Sequence, residues 1–178
     1  MKKHNTCCFI DYCSQDYLIE RSHDNQDYVK LETKLKEICA SLIEDFSVNH
    51  FICGMKFGFE QIFADIVLKV KNKFSGITLE GVIPYENYTI NWTEDQRDKY
   101  YSIMQNIDTE VMLQHNFSQD CMIKRDLYMI NESKYIILYT NNTNEINAIN
   151  KYIKSMGKVV FVLDVKTLNT IPNIRICR

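Results

Sequence analysis

The feature of this sequence that most restricts its fold is the alternation of short, continuous apolar runs with segments whose apolar residues recur at helical spacing. The runs are Thr6-Cys7-Cys8-Phe9-Ile10, His50-Phe51-Ile52-Cys53, Thr78-Leu79-Glu80-Gly81-Val82-Ile83, Val111-Met112-Leu113, Tyr135-Ile136-Ile137-Leu138-Tyr139 and Val159-Val160-Phe161-Val162-Leu163. Runs of this kind, rich in β-branched and aromatic residues and bounded by turn chemistry, read as strands buried on both faces. Between them, three sets each lay one apolar stripe on a helix: Leu31, Leu35, Ile38 and Leu42; Phe59, Phe63, Ile66, Val67 and Val70; Ile146, Ile149, Ile153 and Met156. Two weaker helices are expected over Glu94–Ile107 and Gln119–Glu132. Parallel strands need crossovers of about a dozen residues, which the helical segments supply. The expected fold is therefore α/β, a Rossmann-like three-layer domain with a mostly parallel sheet of about six strands. A chain of 178 residues fits one domain, here residues 1–178 with a core over 6–163. Residues 164–178 are expected as a C-terminal extension or an additional edge element.

That fold fixes where a ligand would sit, because open parallel sheets bind ligands outside the carboxyl ends of their strands. The loops of interest are Asp11–Asp16, Gly54–Gln61, Pro84–Trp92, Gln114–Asp120 and Thr140–Asn144. A formal net charge of -2 argues against a general nucleic-acid binder, which works by neutralising phosphates. A small molecule or a protein partner fits better. The N-terminal apolar stretch is too short for a signal peptide, and no run reaches the ~18 residues of a membrane span. The expectation is a cytoplasmic protein with no membrane association. In that setting seven cysteines without a C-x-x-C pair suggest buried thiols rather than disulfides or a zinc site. His50 and His115 lack metal spacing or a partner nucleophile. No metal and no cofactor is expected.

Only five glycines are present, where average usage would give about twelve. A glycine phosphate loop must therefore be built around Gly54 and Gly58. Phe51-Ile52-Cys53-Gly54-Met55-Lys56-Phe57-Gly58-Phe59-Glu60 runs from an apolar strand through a two-glycine turn into an amphipathic helix. Backbone N–H groups at such a helix start favour phosphate or carboxylate, with Gly54 permitting the tight turn and Gly58 a close approach. The same spacing also serves simple helix packing.

This segment, with Phe63-Ala64-Asp65-Ile66-Val67-Leu68, resembles the G-M-A-x-G-x-D…A-E-I-V-L stretch of the YpsA-like proteins, a branch of the SLOG superfamily of Rossmann-like domains. That superfamily also includes the DprA and Lonely Guy proteins. Leu79-Glu80-Gly81-Val82-Ile83-Pro84-Tyr85-Glu86-Asn87 with Trp92 is similar to L-x-x-x-I-P-x-E-N…W, and Asp120-Cys121-Met122-Ile123-Lys124-Arg125-Asp126-Leu127-Tyr128-Met129-Ile130 to D-C-M-x-R-R-N-R-Y-M-V. The resemblance covers most of residues 6–163 in order. It implies a pocket for a nucleotide or ADP-ribose-like ligand at the strand ends. Met122-x-x-Arg125-x-x-x-Met129 is similar to the M-x-x-R-K-x-x-M helix of Lonely Guy phosphoribohydrolases, and Thr143-x-Glu145 weakly echoes the end of their G-G-x-G-T-x-E loop. Arg125 and Glu145 are thereby the weak catalytic candidates. The resemblance and the loop positions together place Asp11, Tyr12, Gly54, Met55, Lys56, Phe57, Gly58, Glu60, Tyr85, Glu86, Asn87, Trp92, Met122, Arg125, Asn141, Asn142 and Thr143 in the candidate ligand site.

The departures matter as much. Where the family has T-G-H-R-P, this chain has Ile10-Asp11-Tyr12-Cys13-Ser14; where it has G-G-T, this chain has Asn141-Asn142-Thr143; R-N-R-Y becomes Arg125-Asp126-Leu127-Tyr128. Two cationic positions and a glycine loop are lost, and the acids Asp11 and Asp126 are gained. Tyr12, Phe57, Tyr85, Trp92 and Phe117 offer rings on which a base could stack. The balance points to non-catalytic binding of a nucleotide-derived small molecule, an ADP-ribose-like or cyclic-nucleotide signal, by a sensor or sequestering protein. A phage or mobile-element anti-defence role would suit a sequestering domain. The alternatives are a Lonely Guy-like phosphoribohydrolase and a protein-interaction domain with a vestigial pocket. Relatives with this fold commonly dimerise, so a homodimer is compatible with the sequence.

Overall fold

The computed structural model describes residues 5–13, 25–140, 151–165, 167–168 and 170–172. Seven strands, β1 (Thr6–Asp11), β2 (His50–Cys53), β3 (Thr78–Ile83), β4 (Thr109–Met112), β5 (Tyr135–Thr140), β6 (Val159–Asp164) and β7 (Thr170–Pro172), form one sheet. Helices α1 (Asn25–Phe46), α2 (Phe59–Lys71), α3 (Glu94–Met104) and α4 (Cys121–Glu132) connect them, with further helical residues over 151–155. The expected α/β architecture is the observed one.

The strand order is β4-β3-β2-β1-β5-β6-β7. The first six strands pair in parallel, with Cys7 opposite Phe51 on one side of β1 and Tyr135 on the other. β7 pairs antiparallel with β6, placing Ile171 opposite Val162, so part of the C-terminal tail is an edge strand. The chain builds outward from β1 to β4 and then returns to the far side of β1. Its direction of winding reverses between β1 and β5, the crevice where open α/β sheets hold ligands.

The three layers follow from which way each strand residue points. Cys7 and Phe9 of β1 join Leu31, Leu35 and Leu42 of α1 and Phe59, Phe63, Ile66 and Val67 of α2 in one core; Phe9 stacks on Phe63 with ring centroids 4.6 Å apart. Cys8 and Ile10 join Ile52, Val82, Met129, Ile130 and Ile153 in a second core on the opposite face. Period-two alternation sends successive residues of one apolar run into different cores. Every residue of β1 and β5 is buried, as central parallel strands require. Edge strand β4 is mostly exposed, and it starts two residues earlier than the apolar run Val111–Leu113 suggests because Thr109 pairs with Glu80. α3 opens on a capping box in which the Thr93 hydroxyl accepts from the Gln96 N–H while the Gln96 side chain accepts from the Thr93 N–H.

Cys7, Cys8, Cys13, Cys39, Cys53 and Cys121 are buried free thiols. Burial pushes the thiols of Cys8 and Cys39 up to about 12, which leaves them unreactive packing groups. Among the described residues, no helix is long and apolar enough to cross a membrane.

Candidate functional site

The turn after β2 lies beside the carboxyl end of β1. Its backbone is unusual at two points: Met55 has φ 60 and Gly58, the N-cap of α2, has φ 107. Gly54 serves close approach instead. A Cβ there would lie 2.7 Å from Glu60 Oε2 and 2.8 Å from Arg125 Cζ. The two glycine roles are therefore the reverse of those expected from the sequence: Gly58 supplies the left-handed backbone and Gly54 the space.

That space holds a buried ionic cluster. Arg125 is 2% exposed. Its Nη2 donates to Glu60 Oε1 at 3.0 Å and to Asp126 Oδ1 at 2.7 Å, its Nε to Asp126 Oδ1 at 3.0 Å and its Nη1 to the Gly54 carbonyl at 3.3 Å. Glu60 is fully buried and reaches back so that its Oε2 accepts the Lys56 backbone N–H at 2.7 Å. Lys56 Nζ sits 2.8 Å from Asp11 Oδ2 and donates to the Asp11 carbonyl at 2.9 Å. Asp11 Oδ1 in turn accepts the Cys13 N–H, and Tyr12 donates to Asp126 Oδ2 at 3.3 Å. Burial acts to lower the pKa of Arg125, but Glu60 and Asp126 outweigh it and hold the guanidinium firmly charged. Burial pushes the Glu60 carboxyl up, against the pull of Arg125 and Lys56. Burial and the neighbouring Asp126 raise the Tyr12 phenol.

The structure thus brings Asp11, Tyr12, Gly54, Lys56, Glu60 and Arg125 together, as one network rather than a row of open anion ligands. A loop N–H of the kind that cradles phosphate already holds the chain's own carboxylate. Asp126 completes the network; its signals in the sequence were its place next to Arg125 and the acid it puts where the resembling motif has asparagine. Arg125 itself lies on the stripe Cys121, Arg125, Met129, all buried on α4, so its inward direction is written in the four-residue spacing. Met55 is buried in the core, and Met122 is half-buried on α4. Asn141, Asn142, Thr143 and Glu145 lie outside the described residues.

A second group of candidates gathers over the ends of β3 and β4. Tyr85, Asn87, Ile90, Asn91, His115, Asn116 and Phe117 line a cavity of about 400 Å³. Tyr85 meets Phe117 edge-on at 5.4 Å and Tyr88 at 5.6 Å; Tyr88 meets Trp92 at 5.2 Å, and Trp92 meets Phe57 at 6.1 Å. An aromatic wall therefore runs from the cavity to the glycine turn. Trp92 also packs on Tyr100 at 5.6 Å, so its indole belongs partly to the core. Glu86 is exposed, with its Oε2 3.8 Å from His115 Nδ1. His115 and Asn116, which carry no motif, are at the cavity because the loop after β4 folds over the loop after β3, where the Glu86 N–H donates to the His115 carbonyl.

The reversal of strand order, the glycine turn beside it and the aromatic cavity define a Rossmann-like α/β protein with its distinctive side chains at the carboxyl ends of the strands. The YpsA family model, described as the YspA SLOG family, matches residues 8–162, and the chain belongs to that family. The UPF0398 protein SERP1017 of Staphylococcus epidermidis is 30% identical over 106 residues, covering 56% of this chain and 53% of that protein. The UPF0398 protein LBA1157 of Lactobacillus acidophilus is 28% identical over 74 residues, 42% of this chain and 39% of that protein. The matches thus span about half or less of the length of these relatives.

Proposed function

We propose that the protein binds a nucleotide-derived small molecule at the carboxyl ends of its strands without transforming it, as a sensor or sequestering protein. The observation that carries this reading is the aromatic-walled cavity of about 400 Å³, joined to the glycine turn by ring contacts from Tyr85 through Tyr88 and Trp92 to Phe57, a volume suited to a nucleoside-sized group. Its rings come from two loops held by parallel strands, the usual way in which this fold builds ligand sites. The enclosure of Arg125 supports binding over hydrolysis. Its guanidinium is occupied by Glu60, Asp126 and the Gly54 carbonyl, so a substrate phosphate would have to break a buried ion pair to reach it.

The test is to heat-denature purified protein, identify any released small molecule by mass spectrometry, and screen nucleosides, nucleotides and ADP-ribose isomers by thermal shift. A ligand at a hundred times its Kd is expected to stabilise the fold by about 2.7 kcal/mol and to be recovered unaltered. Free base and ribose phosphate after incubation would instead establish a hydrolase, and the absence of any stabilising compound would overturn the proposal.

A further inference from the structure

We propose that the cavity between the β3–α3 and β4–α4 loops is a subsite for the uncharged nucleobase of the ligand, so that the base rather than the phosphate carries recognition. The inference rests on the nucleotide-ligand reading above and specifies which part of such a molecule this chain reads.

Three properties of the cavity converge on it. First, its walls are made for a flat ring: Tyr85 and Phe117 stand edge-on to one another at 5.4 Å, and Phe117 is 66% exposed although it is a large apolar side chain. A base laid against that face would cover apolar surface now open to water. Second, the polar groups are the right kind. The side-chain amides of Asn87, Asn91 and Asn116 each offer a donor and an acceptor and make no hydrogen bond to other described residues. Amides pair with the donor-acceptor edge of a heterocycle, not with a phosphate in particular. Third, the cavity is poor in positive charge. Its lining holds no lysine or arginine, and the Glu86 carboxylate lies 3.8 Å from His115 Nδ1.

The cations nearest the glycine turn do not change this balance. Lys56 is paired with Asp11, and Arg125 with Glu60 and Asp126, so two basic side chains already face three carboxyl groups. A phosphate placed there would compete with those carboxyl groups for the same two side chains.

The experiment is isothermal titration of the full chain with adenosine, guanosine, cytidine and uridine, with their monophosphates and with ADP-ribose, each at low and high salt. At least one nucleoside is expected to bind within about threefold of its monophosphate, with little salt dependence. Phe117→Ala is expected to weaken that nucleoside about tenfold, and Asn87→Ala and Asn116→Ala about threefold to tenfold each. All three side chains are exposed or line the open cavity, so melting temperatures should stay close to wild type. If monophosphates or ADP-ribose bind while nucleosides do not, or if nucleosides bind and all three substitutions leave the Kd unchanged, the base subsite is wrong and the nucleotide-ligand reading stands. If none of these compounds binds, both fall.

Discussion

Arg125 and Glu60 form the contact on which the geometry of the glycine turn depends. A buried ion pair is weak support for stability when compared with apolar substitutes, yet removing one partner leaves a buried charge without compensation. Arg125→Met is therefore expected to lower unfolding free energy by about 3–5 kcal/mol in urea denaturation. The double variant with Glu60→Gln should lose less than the sum of the single losses, with a coupling of about 1–3 kcal/mol. Strict additivity would show that the two side chains act independently. Gly54→Ala belongs to the same measurement. Its added methyl would lie 2.7 Å from Glu60 Oε2 and 2.8 Å from Arg125 Cζ, both fixed by the network, and is expected to cost about 1–3 kcal/mol.

At the scale of elements, α1 and α2 share an apolar seam and an ionic bridge. Glu32 Oε1 of α1 lies 2.9 Å from Lys36 Nζ of its own helix and 2.9 Å from Lys69 Nζ of α2. Those two ammonium groups lower the pKa of the Glu32 carboxyl. A carboxyl lowered on folding contributes stability above its ordinary pKa and loses that contribution as the pH falls through the folded value. Glu32→Gln should accordingly cost up to about 1 kcal/mol at neutral pH, shrinking toward zero on acidification below the ordinary glutamate range. Urea midpoints measured across that range check it, and a difference independent of pH would refute the bridge. The elements themselves were legible because central parallel strands must be apolar on both faces; β1 and β5 carry such runs, and the stripe on α2 declares its buried side. β4 was legible only in part, since an exposed edge strand has no apolar run to mark its start at Thr109. The site was less legible than the elements. A glutamate in the first turn of a helix is ordinarily a solvated partner of the helix dipole, and nothing local in the sequence says that Glu60 turns inward. That depends on Arg125, which lies 65 residues away in the chain.

For the molecule as a whole, order in the sheet predicts order in stability. β1 and β5 are paired on both sides and completely buried, whereas β4 has one neighbour and faces water along most of its length. Hydrogen exchange followed by mass spectrometry should find the amides of β1 and β5 exchanging only with global unfolding and those of Thr109–Met112 at least about a hundredfold faster. Uniform protection across the sheet would contradict this gradient. The inward fold of Glu60 has a consequence at the same scale. A carboxylate tethered four residues from the N–H it occupies competes with any free anion at an effective concentration of about millimolar or more. Inorganic phosphate in solution faces a rival that never diffuses away, so the turn is insulated from swings in phosphate level.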